Sequence, residues 1–360
     1  MKAEGTIPAR PYCASDFEYE LPPELIAQAP LPERSASRML IVRRATGSLG
    51  EAAGRSPELE DGWFRKLPDL VATGDLIVVN TTKVRHARLL GTRPSGAPAE
   101  VLLIHPATGD QWVAIGQPGS ALRPGKRIAL DPEMGIETVD IMPNGARLIR
   151  FVGSTAEAAI ARFGRLPLPP YITRDATAED ERRYQTVYAQ REGSVAAPTA
   201  GLHFTPAVLE AVAARGARIA SVDLEVGPGT FRPVESEDLG EHPMHPERYD
   251  IPAETAALVG RTRSAGGRIW AVGTTVVRAL ESAAGNGTVV AGPGETGLMI
   301  VPGYRFRVVD RLLTNFHLPR STLLMLVCAF AGYDQAMAGY RHAVAARYRF
   351  YSYGDAMAVV

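Results

Sequence analysis

Apolar residues along this chain follow two rhythms, and the change between them divides the molecule. Residues 75–80, Asp-Leu-Ile-Val-Val-Asn, form a short apolar run after Thr73-Gly74 and predict a strand buried on both faces. From about Ala87 to Gly153 the spacing shortens to six apolar or alternating runs, at 87–91, 99–105, 111–116, 126–130, 137–142 and 146–153. Turn-rich pieces separate them, among them Arg93-Pro94-Ser95-Gly96 and Pro143-Asn144-Gly145, the second a strong hairpin signal. Six antiparallel strands in so short a stretch predict a small closed barrel or sandwich. It reads as an insertion at 85–155 in a larger domain made of 1–84 and 156–360.

The larger domain alternates helix and strand. Residues 205–215 carry Val208, Leu209 and Val212 on one helical face, with Pro206 in the first turn and Gly216 as a stop, and 217–226 then read as a strand. A second unit opens a helix at Pro252, closes it at Gly266-Gly267, and follows with an apolar strand at 268–272 that runs into Gly273-Thr274-Thr275. Two helices, 321–330 and 334–348, end the alternation, while 51–61 and 285–295 read as mobile loops. Serial alternation of this kind predicts an α/β fold with a mainly parallel sheet, whose ligands collect at the carboxyl ends of the strands.

Composition narrows the function classes. Hydrophobic residues are 46% and charged residues 22% of the 360, ordinary for a globular chain and against disorder. No apolar run reaches the roughly 18 residues of a membrane span, and the first residues lack the apolar stretch of a secretory signal, so a cytoplasmic protein with no membrane partner is expected. Lys plus Arg equals Asp plus Glu at 39 each, so any contact with nucleic acid must come from a local patch. Cys13 and Cys328 are far apart and have no metal-ligand spacing, which argues against both a disulfide framework and a thiolate metal site.

Polar chemistry concentrates at predicted strand ends. Residues 193–204, Gly-Ser-Val-Ala-Ala-Pro-Thr-Ala-Gly-Leu-His-Phe, are a small-residue run that lets backbone approach a ligand, with Thr199 and Gly201 leading to His203 just before a helix start. A tight buried turn around a structural histidine explains the same segment. Glu225 stands near a strand end before Gly227-Pro228-Gly229-Thr230, which lacks the third glycine and helix of a dinucleotide fingerprint. His242, His245, Glu247 and Tyr249 fall within eight residues, but Pro243 and Pro246 break the helix that a zinc pair would need, and no metal is expected.

Thr274 and Thr275 are placed to cap a helix or to hold a ligand hydroxyl or carboxylate, and Arg278 and Glu281 are spaced to pair with each other. Asn315, His317 and Ser321 are polar groups in an apolar frame, which requires a ligand or a fixed network to satisfy them. The tail from Tyr348 to Asp355 offers three tyrosines for stacking on bases, or for packing against the body.

Taken together, several segments resemble the S-adenosylmethionine:tRNA ribosyltransferase-isomerase family of queuosine biosynthesis. They are Phe17-Glu18-Tyr19-x-Leu21-Pro22, Ser37-Arg38, Gly74-Asp75-Leu76, Tyr184-Gln185-Thr186-Val187-Tyr188, Ser194 to Phe204, Gly229-Thr230-Phe231, His242-x-x-His245-x-Glu247, Ala271 to Arg278, Pro302-Gly303-Tyr304, Thr314 to Thr322 and Tyr353-Gly354-Asp355-Ala356-Met357. The resemblance spans nearly the whole chain and is weakest in the insertion. It implies an α/β-barrel-like main domain, which carries the catalysis, with an inserted six-stranded antiparallel β-barrel.

The resemblance also implies a reaction in which the ribosyl group of S-adenosylmethionine moves to the aminomethyl group of 7-aminomethyl-7-deazaguanine in a tRNA anticodon. Adenine and methionine leave and epoxyqueuosine remains. S-adenosylmethionine is then a co-substrate, no prosthetic group is needed, tRNA is the partner, and the protein works as a monomer. Such chemistry needs a base, a proton donor for adenine, and hydrogen bonds that hold the sugar hydroxyls.

His203, Glu225, His245, Glu247 and His317 are the catalytic candidates, with His203 and Glu225 expected to face the ribose. Thr199, Gly201, Gly229, Thr230, Thr274, Thr275, Arg278 and Asn315 are the candidates for holding the co-substrate. Three positions depart from the family pattern: Glu225 where histidine is usual, Thr81 where aspartate is usual, and Val276 where serine is usual. These departures keep open a paralogue with another acceptor, or a protein that binds without turnover.

Overall fold

The computed structural model describes residues 12–44, 57–227, 234, 236–242, 244 and 246–360. The chain packs as two units, one holding Met1–Asn80, Thr199–Val222 and Gly229–Val360, the other Thr81–Pro198 and Asp223–Pro228. The second unit is therefore wider than the 85–155 expected of an insertion.

In the first unit the strands are β1 (Arg38–Val42), β2 (Leu59–Trp63) and β3 (Leu76–Asn80), and in the second β4 (Thr82–Val84), β5 (Arg88–Thr92), β6 (Pro98–Pro106), β7 (Gln111–Gln117), β8 (Arg127–Ala129), β9 (Gly135–Ile141), β10 (Arg147–Val152) and β11 (Arg191–Ser194). The chain continues with β12 (Arg218–Leu224), β13 (Glu247–Ile251), β14 (Ile269–Val272), β15 (Gly292–Thr296), β16 (Arg311–Asn315) and β17 (Ala356–Val359). Helices are α1 (Leu67–Leu70), α2 (Ala156–Phe163), α3 (Ala178–Arg183), α4 (Pro206–Ala214), α5 (Ala253–Ser264), α6 (Thr274–Ala283), α7 (Thr322–Ala331) and α8 (Tyr333–Ala345).

Among the described residues, the first unit holds a nine-stranded sheet in the order β15-β13-β12-β3-β14-β16-β17-β1-β2. Its middle is parallel, β12 to β3, β3 to β14 and β14 to β16, as the alternation predicts. The order has two ends, so the barrel-like body expected from the resemblance is here a large mixed sheet. Crossovers return the chain to the same end of the sheet before each of these strands, which a parallel neighbour requires. β3 is buried along its whole length, which explains why its sequence is apolar without alternation.

Asp75, at the foot of β3, ties the parallel strands together: Oδ1 accepts from Arg268 N at 2.9 Å and Oδ2 from Trp270 Nε1 at 2.9 Å. The helices start where their caps dictate. Thr205 Oγ1 accepts from Val208 N at 3.2 Å at the head of α4, and Ser321 Oγ from Leu324 N at 3.2 Å at the head of α7. β17 lies between β16 and β1, antiparallel to the first and parallel to the second.

Two expected loops are partly strand. Residues 59–61 belong to β2, paired antiparallel with β1, and 292–295 to β15, paired antiparallel with β13. Edge strands tolerate the polar and glycine content that made these segments look irregular. Residues 51–56 of the first lie outside the described residues. No single helix among the described residues is long and apolar enough to cross a membrane.

In the second unit, the six runs read from the sequence form the six strands β5 to β10. They pair antiparallel around a closed ring, β10-β7-β6-β5-β8-β9 and back to β10. The interior is filled by alternate residues, Leu89, Val101, Leu103, Ala114, Ile128, Ile136 and Ile149 among them, with Ala156 and Ala159 of α2 packed on the same core. Close approach of neighbouring strands demands glycine at several positions of the ring: a Cβ on Gly116 would stand 2.1 Å from the Glu100 carbonyl, and one on Gly91 2.6 Å from the Ala129 carbonyl.

Candidate functional site

His203 ends a short helical turn, Thr199–His203, in the first unit, and is 4% exposed. Its ring stacks on Phe64, with centroids 5.1 Å apart and planes 30° from parallel. Nδ1 lies 2.7 Å from Ser37 Oγ, and Nε2 lies 3.2 Å from Asn315 Nδ2. The Asn315 nitrogen also donates to the Tyr351 carbonyl at 3.0 Å and reaches the Asp355 carbonyl at 3.5 Å. Its oxygen, Oδ1, is buried without a hydrogen-bond partner.

A buried amide oxygen left without a donor costs about 1–3 kcal/mol, so its survival calls for a reason. Tyr351, whose carbonyl receives the Asn315 amide, sits in the left-handed region with φ +69°, a conformation a bulky residue adopts only when its surroundings impose it.

The electrostatics hold this histidine neutral. Burial is the main cause, the nearby Arg34 and Arg349 guanidinium groups add to it, and together they push the imidazole down to about 3. Arg34 Nη1 donates to the Leu202 carbonyl at 3.0 Å, which keeps that charge beside the ring. Asp355 accepts from Arg38 N and Arg349 N, both at 2.8 Å, and burial raises its carboxyl above the ordinary range. His317 is also pushed down to about 3 by burial. Its Nε2 is 2.8 Å from Thr314 Oγ1, its N–H donates to Tyr340 Oη at 3.0 Å, and Tyr19 Oη donates to its carbonyl at 2.5 Å.

The parallel strands bring the start of α6 to the same end of the sheet. Gly273, at φ +94°, is the residue before α6; its N–H donates to the Leu313 carbonyl of β16 at 2.7 Å, and a Cβ there would lie 3.8 Å from the Ala200 methyl of the His203 turn. No side chain caps α6, so the expected cap by Thr274 or Thr275 is replaced by Gly273. Both threonines are buried in the first turn.

Arg278 and Glu281 do not pair with each other. Arg278 meets Glu247 of β13 through Nη1 and donates to the Leu298 and Thr296 carbonyls at 3.0 and 3.1 Å. Glu281 accepts from the backbone of Arg307, Val308 and Val309 at 2.8, 3.0 and 3.0 Å. Buried at α6, each takes the partner that leaves no charge bare, and at three residues' separation their own contact loses to that demand.

Glu225 belongs to the second unit. Its carboxylate oxygen would stand 3.1 Å from a Cβ on Gly193, and the adjoining Val226 N–H donates to Ser194 Oγ at 2.7 Å. His245, Gly229 and Thr230 lie outside the described residues. Thr81 and Val276, the other departures from the family pattern, are both buried, at 8% and 0% exposed. Among the described residues no group of three or more His, Cys, Asp or Glu side chains is gathered to hold a metal ion.

The structure thus brings His203, Asn315, Thr199, Gly201 and Thr274 to one end of the parallel strands, and sets Glu247 and Arg278 in a separate ion pair. Sequence reasoning missed Ser37 and Phe64 as partners of His203. The signal for Ser37 was present, since Ser37-Arg38 is one of the family segments. Phe64 carried none, because it follows a stretch read as loop.

Fold and site define an α/β enzyme whose parallel strands end at a neutral histidine, with a six-stranded antiparallel ring in the same chain. The chain matches the family described as Queuosine biosynthesis protein over residues 14–359. It is 51% identical over 342 residues to the S-adenosylmethionine:tRNA ribosyltransferase-isomerase of Azoarcus sp. (strain BH72), covering 95% of this chain and 96% of that one. The enzyme of the same name from Anaeromyxobacter sp. (strain Fw109-5) is 50% identical over 347 residues, covering 95% and 97%. A crystal structure of S-adenosylmethionine tRNA ribosyltransferase from Thermotoga maritima matches with a TM-score of 0.55 and 36% identity, over 96% of this chain and 100% of that one. The chain belongs to the S-adenosylmethionine:tRNA ribosyltransferase-isomerase family of queuosine biosynthesis.

Proposed function

We propose that this enzyme transfers and isomerises the ribosyl group of S-adenosylmethionine onto 7-aminomethyl-7-deazaguanine in a tRNA anticodon, leaving epoxyqueuosine and releasing adenine and methionine. The observation that carries the reading is the identity of about one residue in two to relatives of that name along 95% of the chain. The chemistry is consistent with it. A sulfonium acidifies the neighbouring 5′ carbon, so a base that is neutral at working pH opens the sugar by removing a proton there.

His203 is neutral, rigidly held and at the strand ends, where an α/β sheet collects its ligands. Asn315, which touches its ring, Thr199 and Gly201 of its own turn, and Thr274 and Thr275 are the groups that hold the co-substrate, and His317 stands two residues beyond Asn315. Glu225 remains a candidate from the second unit. The protein acts as a monomer in the cytoplasm, where its tRNA substrate is found.

Incubation with S-adenosylmethionine and an anticodon stem-loop bearing the aminomethyl base tests this directly. Adenine and methionine should appear together with a mass gain on the RNA. The replacements at Thr81, Glu225 and Val276 favour one second reading, the same ribosyl transfer to another acceptor. In that case the co-substrate is consumed with a different amine while the stem-loop mass stays unchanged.

A further inference from the structure

His203 has two ring nitrogens, and among the described residues each has one side-chain hydrogen-bond neighbour: Ser37 Oγ at Nδ1 and the Asn315 amide at Nε2. Which nitrogen carries the proton depends on which way the amide points. The Asn315 nitrogen is the atom that also meets the Tyr351 and Asp355 carbonyl oxygens. Turning the amide over would place Oδ1 against two acceptors and forfeit both contacts. The nitrogen therefore faces the ring, and an N–H aimed at Nε2 requires a lone pair there.

The proton then sits on Nδ1 and is donated to Ser37 Oγ, whose own hydrogen passes to the Arg34 carbonyl at 3.2 Å. The four groups form a one-way chain from Asn315 through His203 and Ser37 to the backbone. We infer that Asn315 is a positioning residue acting through His203: its amide fixes the imidazole as the Nδ1–H tautomer and holds Nε2 as the ring's basic atom.

The charges around the ring agree with this. Arg34 and Arg349 flank it, and Asp355 reaches it through its main-chain carbonyl on Asn315, its carboxylate being taken by Arg38 N and Arg349 N. Among the described residues no carboxylate contacts either ring nitrogen to pull a proton onto Nε2. The partnerless Asn315 Oδ1 is the cost of this orientation, and the left-handed Tyr351 supplies the carbonyl that enforces it.

The kinetic consequence rests on the reading under Proposed function, but the tautomer does not. Nitrogen NMR of the full chain labelled with [15N]histidine, with His203 assigned by His203→Gln, should give a protonated-type Nδ1 and a lone-pair-type Nε2, unchanged between pH 8 and pH 5. In Asn315→Asp a carboxylate faces Nε2 and the pattern should reverse, whereas Ser37→Ala should leave the wild-type pattern in place. On S-adenosylmethionine and RNA, Asn315→Asp should lower kcat at least ~10-fold while KM for S-adenosylmethionine stays within about twofold.

A wild-type resonance pattern with the proton on Nε2 overturns the inference and needs no variant to fold. So does reversal in Ser37→Ala, or an Asn315→Asp enzyme that keeps its kcat. A wild-type protein inactive on RNA removes the functional reading and leaves the tautomer result standing.

Discussion

Two buried polar clusters in the first unit solve the same problem differently. Around Arg278, charge meets charge and the rest of the guanidinium is taken up by carbonyls, while Glu281 is filled by three backbone N–H groups. Around His203 the ring is stripped of charge, and an adjacent amide oxygen is left with nothing to accept. A saturated cluster needs no ligand and reads as scaffold; one with an unfilled acceptor beside a rigid neutral base reads as a site. Glu247 and Arg278, expected from the sequence among the catalytic and co-substrate residues, pair with each other in the first of these clusters.

The sharpest way to break the comparison is Glu247→Ala. It strands Arg278 in the interior and should cost about 3–5 kcal/mol in a urea unfolding titration, a large part of a typical folding free energy. If stability barely changes while activity disappears, the two clusters are not what they seem. His203→Ala should do the opposite, lowering kcat on S-adenosylmethionine and RNA by about 10²-fold or more with a fold that still unfolds cooperatively.

Acid separates them next. His203 is held at about 3 in the fold against 6.5 when free, so between these values only the unfolded chain takes up that proton. Stability should be flat above about pH 6.5 and fall on acidification by about 1.4 kcal/mol per pH unit for this group, with a shallower slope in His203→Gln. The smallest effect is that of Ser37→Ala, about 1–2 kcal/mol for the two neutral hydrogen bonds of Oγ, read as a shift in the urea midpoint.

What the sequence revealed follows from how local each signal is. The six strands of the ring announce themselves because each alternates against a single core and ends in a turn such as Asn144-Gly145. Their closure depends on β10 finding β7 as well as its hairpin partner β9, and no local pattern encodes the first of these pairings. β3 and β14 were legible from their apolar runs, while β2 was not, because it is an edge strand with polar and glycine content, and neither was β17, whose place between β1 and β16 is set by distant segments. For the same reason His203 and Asn315 were visible as polar residues in apolar company, but Ser37, Phe64 and the Tyr351 carbonyl, which decide the state of that histidine, come from distant segments.

The position of β17 bears on when the site comes into being. Residues 356–359 fill the gap between β16 and a strand made more than 300 residues earlier. Until they arrive, β1 and β2 have no docking edge on the rest of the sheet, and Asp355, which fixes Arg38 and receives the Asn315 amide, is not in place. Vectorial synthesis thus withholds competence until this strand is threaded, so a nascent chain stalled before residue 355 should hold the closed ring and lack an assembled histidine centre.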